Sequence, residues 1–472
     1  MEKEAQMHSA KLGKMPVGKL LFVMSLPAIL SMLVQSLYNV VDTIFVSRIT
    51  SENDFALTAL GFAFPMQMVV FSVAMGIGIG TNSLVARRLG AGDKEGASRI
   101  AQTGIKLAVI GALFFAVAGY FLVNAFVSIY ETNAEINLMT KQYLYIVVIA
   151  CLGQYIEVVG NKILQSTGNM VVPMVSQLIG AITNIILDPI LIFGMFGLPK
   201  MGIIGAAVAT VIGQWLAMAY TLFMIIKKKT DVKIFTKDLS IRLNDVKEVF
   251  RIGAPAFATN AMGAFVTMTM NGILLGFSTP ENPVVGTTAV SVLTVYFKLQ
   301  SFVFMPVFGL TQGAMPVLGY NYGANIKERF DKAFRLTLIT SFSIMTVGFL
   351  LFQLCPEALM LVFNATPDLT EMGAIALKTI SFSFFPAAFG IVFSIMFQAV
   401  GEGLKALFMP LCRQLIFLLP CALLLQAFAP TVNSVWLCYP IAELLSALIF
   451  VPIGLATIKK VFKRQKEKLQ NA

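Results

Sequence analysis

The chain has 472 residues, of which 57% are hydrophobic and only 12% charged, with a mean hydropathy of +0.81. A soluble domain carries about 25% charged residues, so these figures exclude one, and they exclude disorder as well. The net charge of +11 reads as basic loops beside a bilayer rather than as a nucleic-acid surface.

Residues 1–19 form a polar tail that holds the one histidine, His8, and is too charged for a signal peptide. Six apolar runs follow, at 20–46, 56–81, 100–129, 138–159, 170–193 and 203–226. Each is long enough to span a membrane, which takes about 20 residues. A lysine-rich linker occupies 227–248. Six more runs lie at 249–275, 284–310, 334–354, 372–400, 404–428 and 435–458, and a basic tail fills 459–472. The short alternating segments of a membrane β-barrel are missing. With twelve spans, 28 of the 35 Lys and Arg fall on the side of the termini and linker, Lys162 among them, and only Arg48, Lys141 and Lys200 on the other. The positive-inside rule then predicts a multi-pass protein of the cell membrane with both termini in the cytoplasm. The five cysteines have neither zinc nor disulfide spacing, and Walker motifs, metal-ligand clusters and catalytic triads are missing. The sequence therefore points to no enzyme, no cofactor, no metal and no nucleic-acid partner.

The first half recurs in the second. Gly76, Gly80, Gly90, Ala91, Lys94 and Glu95 match Gly309, Gly313, Gly323, Ala324, Lys327 and Glu328 at an offset of 233, as do Gln165 with Gln398 and Gly168 with Gly401. Leu26-Pro27-Ala28 answers Ala254-Pro255-Ala256 at an offset of 228. Six spans per half is an even number, so both halves have the same orientation and the pseudo-twofold runs along the membrane normal. The predicted fold is all-α: a 20–226 lobe and a 249–458 lobe of six transmembrane helices each, facing one another across a cleft, with alternating access by rocking of the bundles.

Polar residues inside spans are expensive and mark function by default. Asp42 and Asp188 both fall in the outer half of outward-running spans. Gln35, Tyr38, Asn39 and Asp42 share one helix face, Gln177, Asn184 and Asp188 another, and Thr210 and Gln214 a third. Carboxylates and neutral oxygens at one depth suit a proton or a small hard cation. Gln35, Tyr38, Asn39, Asn161 and Gln177 are the candidate lining of a substrate cavity. Lys298, Arg413 and Glu443 form a candidate charge cluster in the second lobe, neutralising one another. The glycines 76, 78 and 80 follow no strand, so they read as helix-packing positions rather than as a nucleotide loop.

The run from Asn184 through Asp188-Pro189 to Gly194 resembles the fifth-helix signature of the multidrug and toxic compound extrusion (MATE) family. Pro27 with Gln35 and Asp42 is similar to its first helix, and the Gly90-Ala91-Gly92 loop and the run from Gly205 to Thr210 also match. The likeness covers the whole chain and resembles the bacterial branch that includes the staphylococcal efflux pump. It implies a monomeric exporter of cationic amphipathic drugs in the bacterial inner membrane, coupled to H⁺ or Na⁺. It also implies a first-lobe cation site of Asp42, Asn184, Asp188 and Thr210 with the Ala206 carbonyl, and Tyr143 nearby. The alternatives are a lipid-linked sugar flippase of the same superfamily, which would want a cationic cavity, and a membrane receptor or enzyme.

Overall fold

A computed structural model describes residues 12–47, 55–128, 134–227, 232, 242–278, 284–361, 367–429 and 431–470. Among these residues the regular structure is entirely helical. This is the expected response to a solvent that cannot hydrogen-bond the backbone, since a helix satisfies its own amides. The first lobe holds α1 (Val17–Ser47), α2 (Phe55–Gly90), α3 (Lys94–Val127), α4 (Ala134–Ile149), α5 (Leu152–Ser166), α6 (Val171–Phe193) and α7 (Ile203–Lys227). The second holds α8 (Leu243–Leu275), α9 (Val285–Gly323), α10 (Lys327–Leu354), the short α11 (Pro356–Leu361), α12 (Pro367–Ser381), α13 (Phe384–Val400), α14 (Gly403–Leu411), α15 (Leu419–Phe428), the short α16 (Val432–Val435) and α17 (Cys438–Gln470). Among the described residues nine helices are long and apolar enough to cross a membrane, eleven when each of two bent pairs is one span. The remaining rod is α8, whose first turns carry Asp245, Lys247, Glu248 and Arg251. The chain thus has twelve transmembrane helices in two six-helix bundles. Apolar side chains such as Leu113, Phe114, Val117 and Phe121 of α3 are exposed on one face, which only lipid can cover favourably.

Two spans are broken where the sequence shows a continuous apolar run. The fourth bends by 49° between α4 and α5, and the tenth by 51° between α12 and α13. Neither break holds a proline. A side chain from a neighbouring helix takes up backbone carbonyls there: Trp215 Nε1 donates to Ala150 O at 3.1 Å, and Gln353 Nε2 to Lys378 O at 2.8 Å. Beyond the first bend α5 runs on to Ser166, seven residues past the predicted end of the span. The eleventh span passes through a π-helical segment, Cys412–Leu418, between α14 and α15.

The internal repeat holds at the level of single hydrogen bonds. Ala91, Gly92 and Asp93 N–H donate to the carbonyls of Arg87, Leu89 and Arg88. Ala324, Asn325 and Ile326 do the same to Tyr320, Tyr322 and Asn321, all at offset 233. Gly92 has φ +80° and its counterpart Asn325 φ +56°, the left-handed region that Asn tolerates better than most residues. Near the start of each lobe Ser31 Oγ donates to Pro27 O and Thr259 Oγ1 to Pro255 O, at offset 228.

The lobes meet through α1 against α9, α8 against α2, and α2 against α9. The first two contacts are exchanged by the pseudo-twofold and the third lies on it. Among the described residues the closest backbone approaches between the lobes lie toward the end that carries the N-terminal segment. A Cβ on Gly90 would collide with the carbonyl of Tyr320, and one on Gly323 with the carbonyl of Arg87. Arg87 and Tyr320 are themselves 233 apart, so the two contacts are reciprocal. At the same end Arg99 Nε pairs with Asp245 at 2.9 Å and Arg88 with Glu248 at 3.6 Å across the seam. Arg329 Nη2 donates to Met15 O at 2.7 Å, tying the chain ahead of α1 to the second lobe.

Candidate functional site

Asp188 lies one turn before the end of α6 and is fully buried. Asn184, one turn earlier on the same face, turns its amide toward the carboxylate. With both ends of that amide satisfied, its nitrogen lies 2.9 Å from Asp188 Oδ2, and its oxygen lies 3.2 Å from both the N–H and the Oγ1 of Thr210 on α7. In a regular helix the Thr210 N–H bonds the carbonyl of Ala206, also buried. Asp188, Asn184 and Thr210 are thus brought together, with Ala206 one turn away. A buried carboxylate whose neighbours are neutral groups can take up a proton or a small cation and give it back when those neighbours move.

Asp42, Asn39 and Tyr38 lie on α1, but their side chains lie outside the described residues. Gln35, one turn below them, is exposed. Tyr143 is buried and its hydroxyl accepts from Gln67 Nε2 of α2 at 3.0 Å. Gln177 faces the lobe seam beside Gln165, Gln312 and Met32, with a buried carbonyl oxygen that has no donor. Asn161 departs from its expected place. It is 4% exposed and turns into the first lobe, accepting from Thr221 Oγ1 at 3.1 Å and donating to Glu157 at 3.3 Å, because α5 continues past the bend and keeps it inside a packed helix face. In the second lobe Arg413 and Glu443 form an ion pair at 2.5 Å. Lys298 is exposed on α9, and that pair forms without it.

Two charged residues of the fourth span have roles that the span's apolar pattern did not suggest. Glu157 is held between α5, α6 and α7. Lys162, expected in an inner loop, is 6% exposed. Its ammonium donates to Gln165 Oε1 at 3.2 Å and, across the seam, to Gln312 Oε1 of the second lobe at 2.9 Å. The signal for both was available: an ionisable residue inside an apolar run is a functional candidate by default.

The MatE family model matches residues 27–190 and again residues 255–424, once in each lobe. Over the whole length the chain is similar to the FAD transporter of Shewanella oneidensis, 24% identical, with 92% of this chain and 93% of that protein covered. It is similar to the multidrug export protein MepA of Staphylococcus aureus, 25% identical with the same coverage. A solved structure, the outward-facing conformation of a multidrug resistance MATE family transporter of the MOP superfamily, superposes with a TM-score of 0.88 at 25% identity. That superposition covers 96% of this chain and 98% of the other.

Proposed function

The chain belongs to the MatE family, which makes it a multi-pass membrane transporter and not an enzyme, and from that premise we propose that it exports cationic amphipathic compounds from a bacterial cell in exchange for H⁺ or Na⁺. The observation that carries this reading is the Asp188–Asn184–Thr210 cluster, a buried carboxylate met by neutral groups of two helices. Asp42, on the helix packed against α6, is the second carboxylate of the site. An ion arriving from outside neutralises the pair. Neutral carboxylates need less hydration, so α1 and α6 repack, flexing at Pro27 and Pro189. The repacked lobe binds a cation less well, and the drug leaves outward. Drug and coupling ion thereby oppose each other's binding whether or not they touch the same atoms.

The packed end of the seam carries the N-terminal segment and most of the basic residues. Under the positive-inside rule this is the cytoplasmic end, and the arrangement corresponds to an outward-facing state, in keeping with the similar solved structure. Return to the inward-facing state requires the ion pairs Arg99–Asp245 and Arg88–Glu248 to part. The protein works as a monomer in the lipid bilayer, because both lobes of the cleft come from one chain.

The test is transport by the purified protein in proteoliposomes under an imposed pH or Na⁺ gradient, with ethidium and FAD as substrates of opposite charge. Asp188→Asn keeps the shape and loses the titration, and should abolish the gradient dependence of ethidium export. Full ion dependence in a correctly inserted Asp188→Asn protein would sink the coupling site. Gradient-driven movement of FAD without ethidium would overturn the assigned substrate class.

A further inference from the structure

The first lobe holds a second membrane-embedded carboxylate. Glu157 Oε1 accepts from Asn161 Nδ2 at 3.3 Å and from Ser176 Oγ of α6 at 3.4 Å. Ser176 Oγ also lies 3.1 Å from the Ala217 carbonyl and 2.8 Å from Thr221 Oγ1 of α7, and Thr221 donates to Asn161 Oδ1 at 3.1 Å, which gathers four polar side chains of three helices. Asn161 is 4% exposed and Ser176 and Thr221 are fully buried. The cations carried by the elements around it are Lys94, Arg99 and Lys106 on α3, Lys162 on its own helix, Lys298 on α9, and Arg87, Arg88 and Lys227 at helix ends. Among the described residues none of them pairs with Glu157. Glu157 itself is partly exposed, yet a carboxylate inside a membrane span held by neutral donors alone is poorly suited to be a structural strut, since leaving it charged there is costly. It is well suited to take up and give back a positive charge.

Its position bears on the ion path. Ser176 and Asp188 are both on α6, twelve residues or about 18 Å apart, and Thr210 and Thr221 are both on α7, about 16 Å apart at 1.5 Å per residue. The same two helices therefore carry an outer cluster around Asp188 and an inner one around Glu157. Between them α6 and α7 cross in backbone contact, where a Cβ on Gly213 would lie 2.7 Å from the carbonyl oxygen of Gly180. Gln214 on α7, one turn from Thr210, has a buried carbonyl oxygen lacking any donor, and Gln177, next to Ser176 but facing the lobe seam, has another. Bare acceptors beside the two clusters are partners that a passing cation or a hydrated proton can use.

We propose that Glu157 is a second ion-exchange station of the first lobe, receiving the coupling ion that Asp188 gives up and releasing it at the packed, basic end. For a proton the balance is simple: it leaves the Asp188 carboxyl, ends on the Glu157 carboxylate, and passes from there to water. For Na⁺ the Ser176 hydroxyl oxygen beside the carboxylate is one neutral ligand, and Asn161 would turn its amide to present its oxygen as another. This inference rests on the reading of Asp188 as the coupling site.

The experiment compares gradient-driven ethidium transport with ethidium counterflow in the absence of any gradient, in proteoliposomes of the full chain. Glu157→Gln should lose at least tenfold of the gradient-driven rate under the pH or Na⁺ gradient, whichever drives wild type, and keep counterflow within about twofold. Asp188→Asn is the reference. If it loses gradient drive while Glu157→Gln retains it, the second station is refuted and the coupling site stands. If both variants retain full gradient drive, the coupling reading itself is wrong. Should Glu157→Gln fail to fold, Glu157→Asp carries the test: a shortened but titratable side chain should transport with a displaced pH or Na⁺ optimum, and a wild-type profile would overturn the proposal.

Discussion

The glycine contacts at the packed end invite a quantitative test. In Gly90→Ala the added methyl meets the Tyr320 carbonyl, and in Gly323→Ala it meets the Arg87 carbonyl. Backbone atoms in packed helices cannot step aside as a flexible side chain would, so the lobes must separate or the helices must bend. Overpacking of this kind costs about 1–3 kcal/mol, and 1.4 kcal/mol is a tenfold change, so each variant should shift the balance away from the closed seam by about 5- to 150-fold. Ser83 reports the shift: it is fully buried and its Oγ donates to Gln398 O across the seam at 2.6 Å. A cysteine at position 83, in a background with the exposed Cys355 replaced by serine, should react faster with a maleimide in both variants. Gly61→Ala and Gly272→Ala, where a Cβ would meet nothing within 4 Å, should leave the rate unchanged. One separation of the lobes relieves both clashes, so the double variant Gly90→Ala/Gly323→Ala should fall well short of additivity. Wild-type labelling rates in both single variants, or full additivity in the double, would refute the reciprocal seam.

Trp215→Phe removes the indole donor from the Ala150 carbonyl at a bend where lipid offers no substitute; the cost of about 1–3 kcal/mol should appear as a lower melting temperature in detergent. Arg413→Met leaves the Glu443 carboxylate without its partner and should cost about 3–5 kcal/mol by thermal shift, most of it recovered by adding Glu443→Leu. Asp93 caps α3 through Gly96 N–H at 2.8 Å and bonds Arg88 Nη1 at 3.0 Å, and these contacts hold its carboxyl below the usual carboxylate range. Because the folded value is depressed, its contribution is complete above the unfolded value of about 3.9 and fades as pH falls through the folded one. Asp93→Ala should therefore lower stability by about 1 kcal/mol equally at pH 7 and pH 5, with the gap to wild type narrowing below about pH 4.

The parts of the molecule governed by long-range averages were legible in the sequence. The apolar runs became helical spans, two of them bent, since hydropathy over 20 residues reports the solvent directly, and the offset of 233 recurred down to paired backbone bonds. The bends were not legible, because they depend on Trp215 and Gln353 reaching in from other helices, and no local pattern encodes a partner distant in the chain. The end of the fourth span was misplaced for a related reason. Gly160-Asn161-Lys162 reads as the polar rim of a bilayer when seen alone, yet Thr221 and Gln312 satisfy two of those residues inside the protein. Asp188, Asn184 and Thr210 were recoverable because helical spacing put the first two on one face. Their union with Thr210 depended on the packing of α6 against α7.

The reciprocal contact also bears on how two halves of one chain can come to differ. Gly90 against Tyr320 and Gly323 against Arg87 are one contact written twice, the form taken by a symmetric dimer of six-helix subunits whose interface uses the same patch on both copies. On each acceptor side the touching atom is a backbone carbonyl, which every residue possesses. An arginine and a tyrosine can therefore occupy equivalent places without disturbing the joint, while a side chain at either glycine would. The hinge is indifferent to most of the sequence around it. Freed from that constraint, one half could take on carboxylates among neutral donors, and the other an arginine–glutamate pair, on a shared mechanical frame.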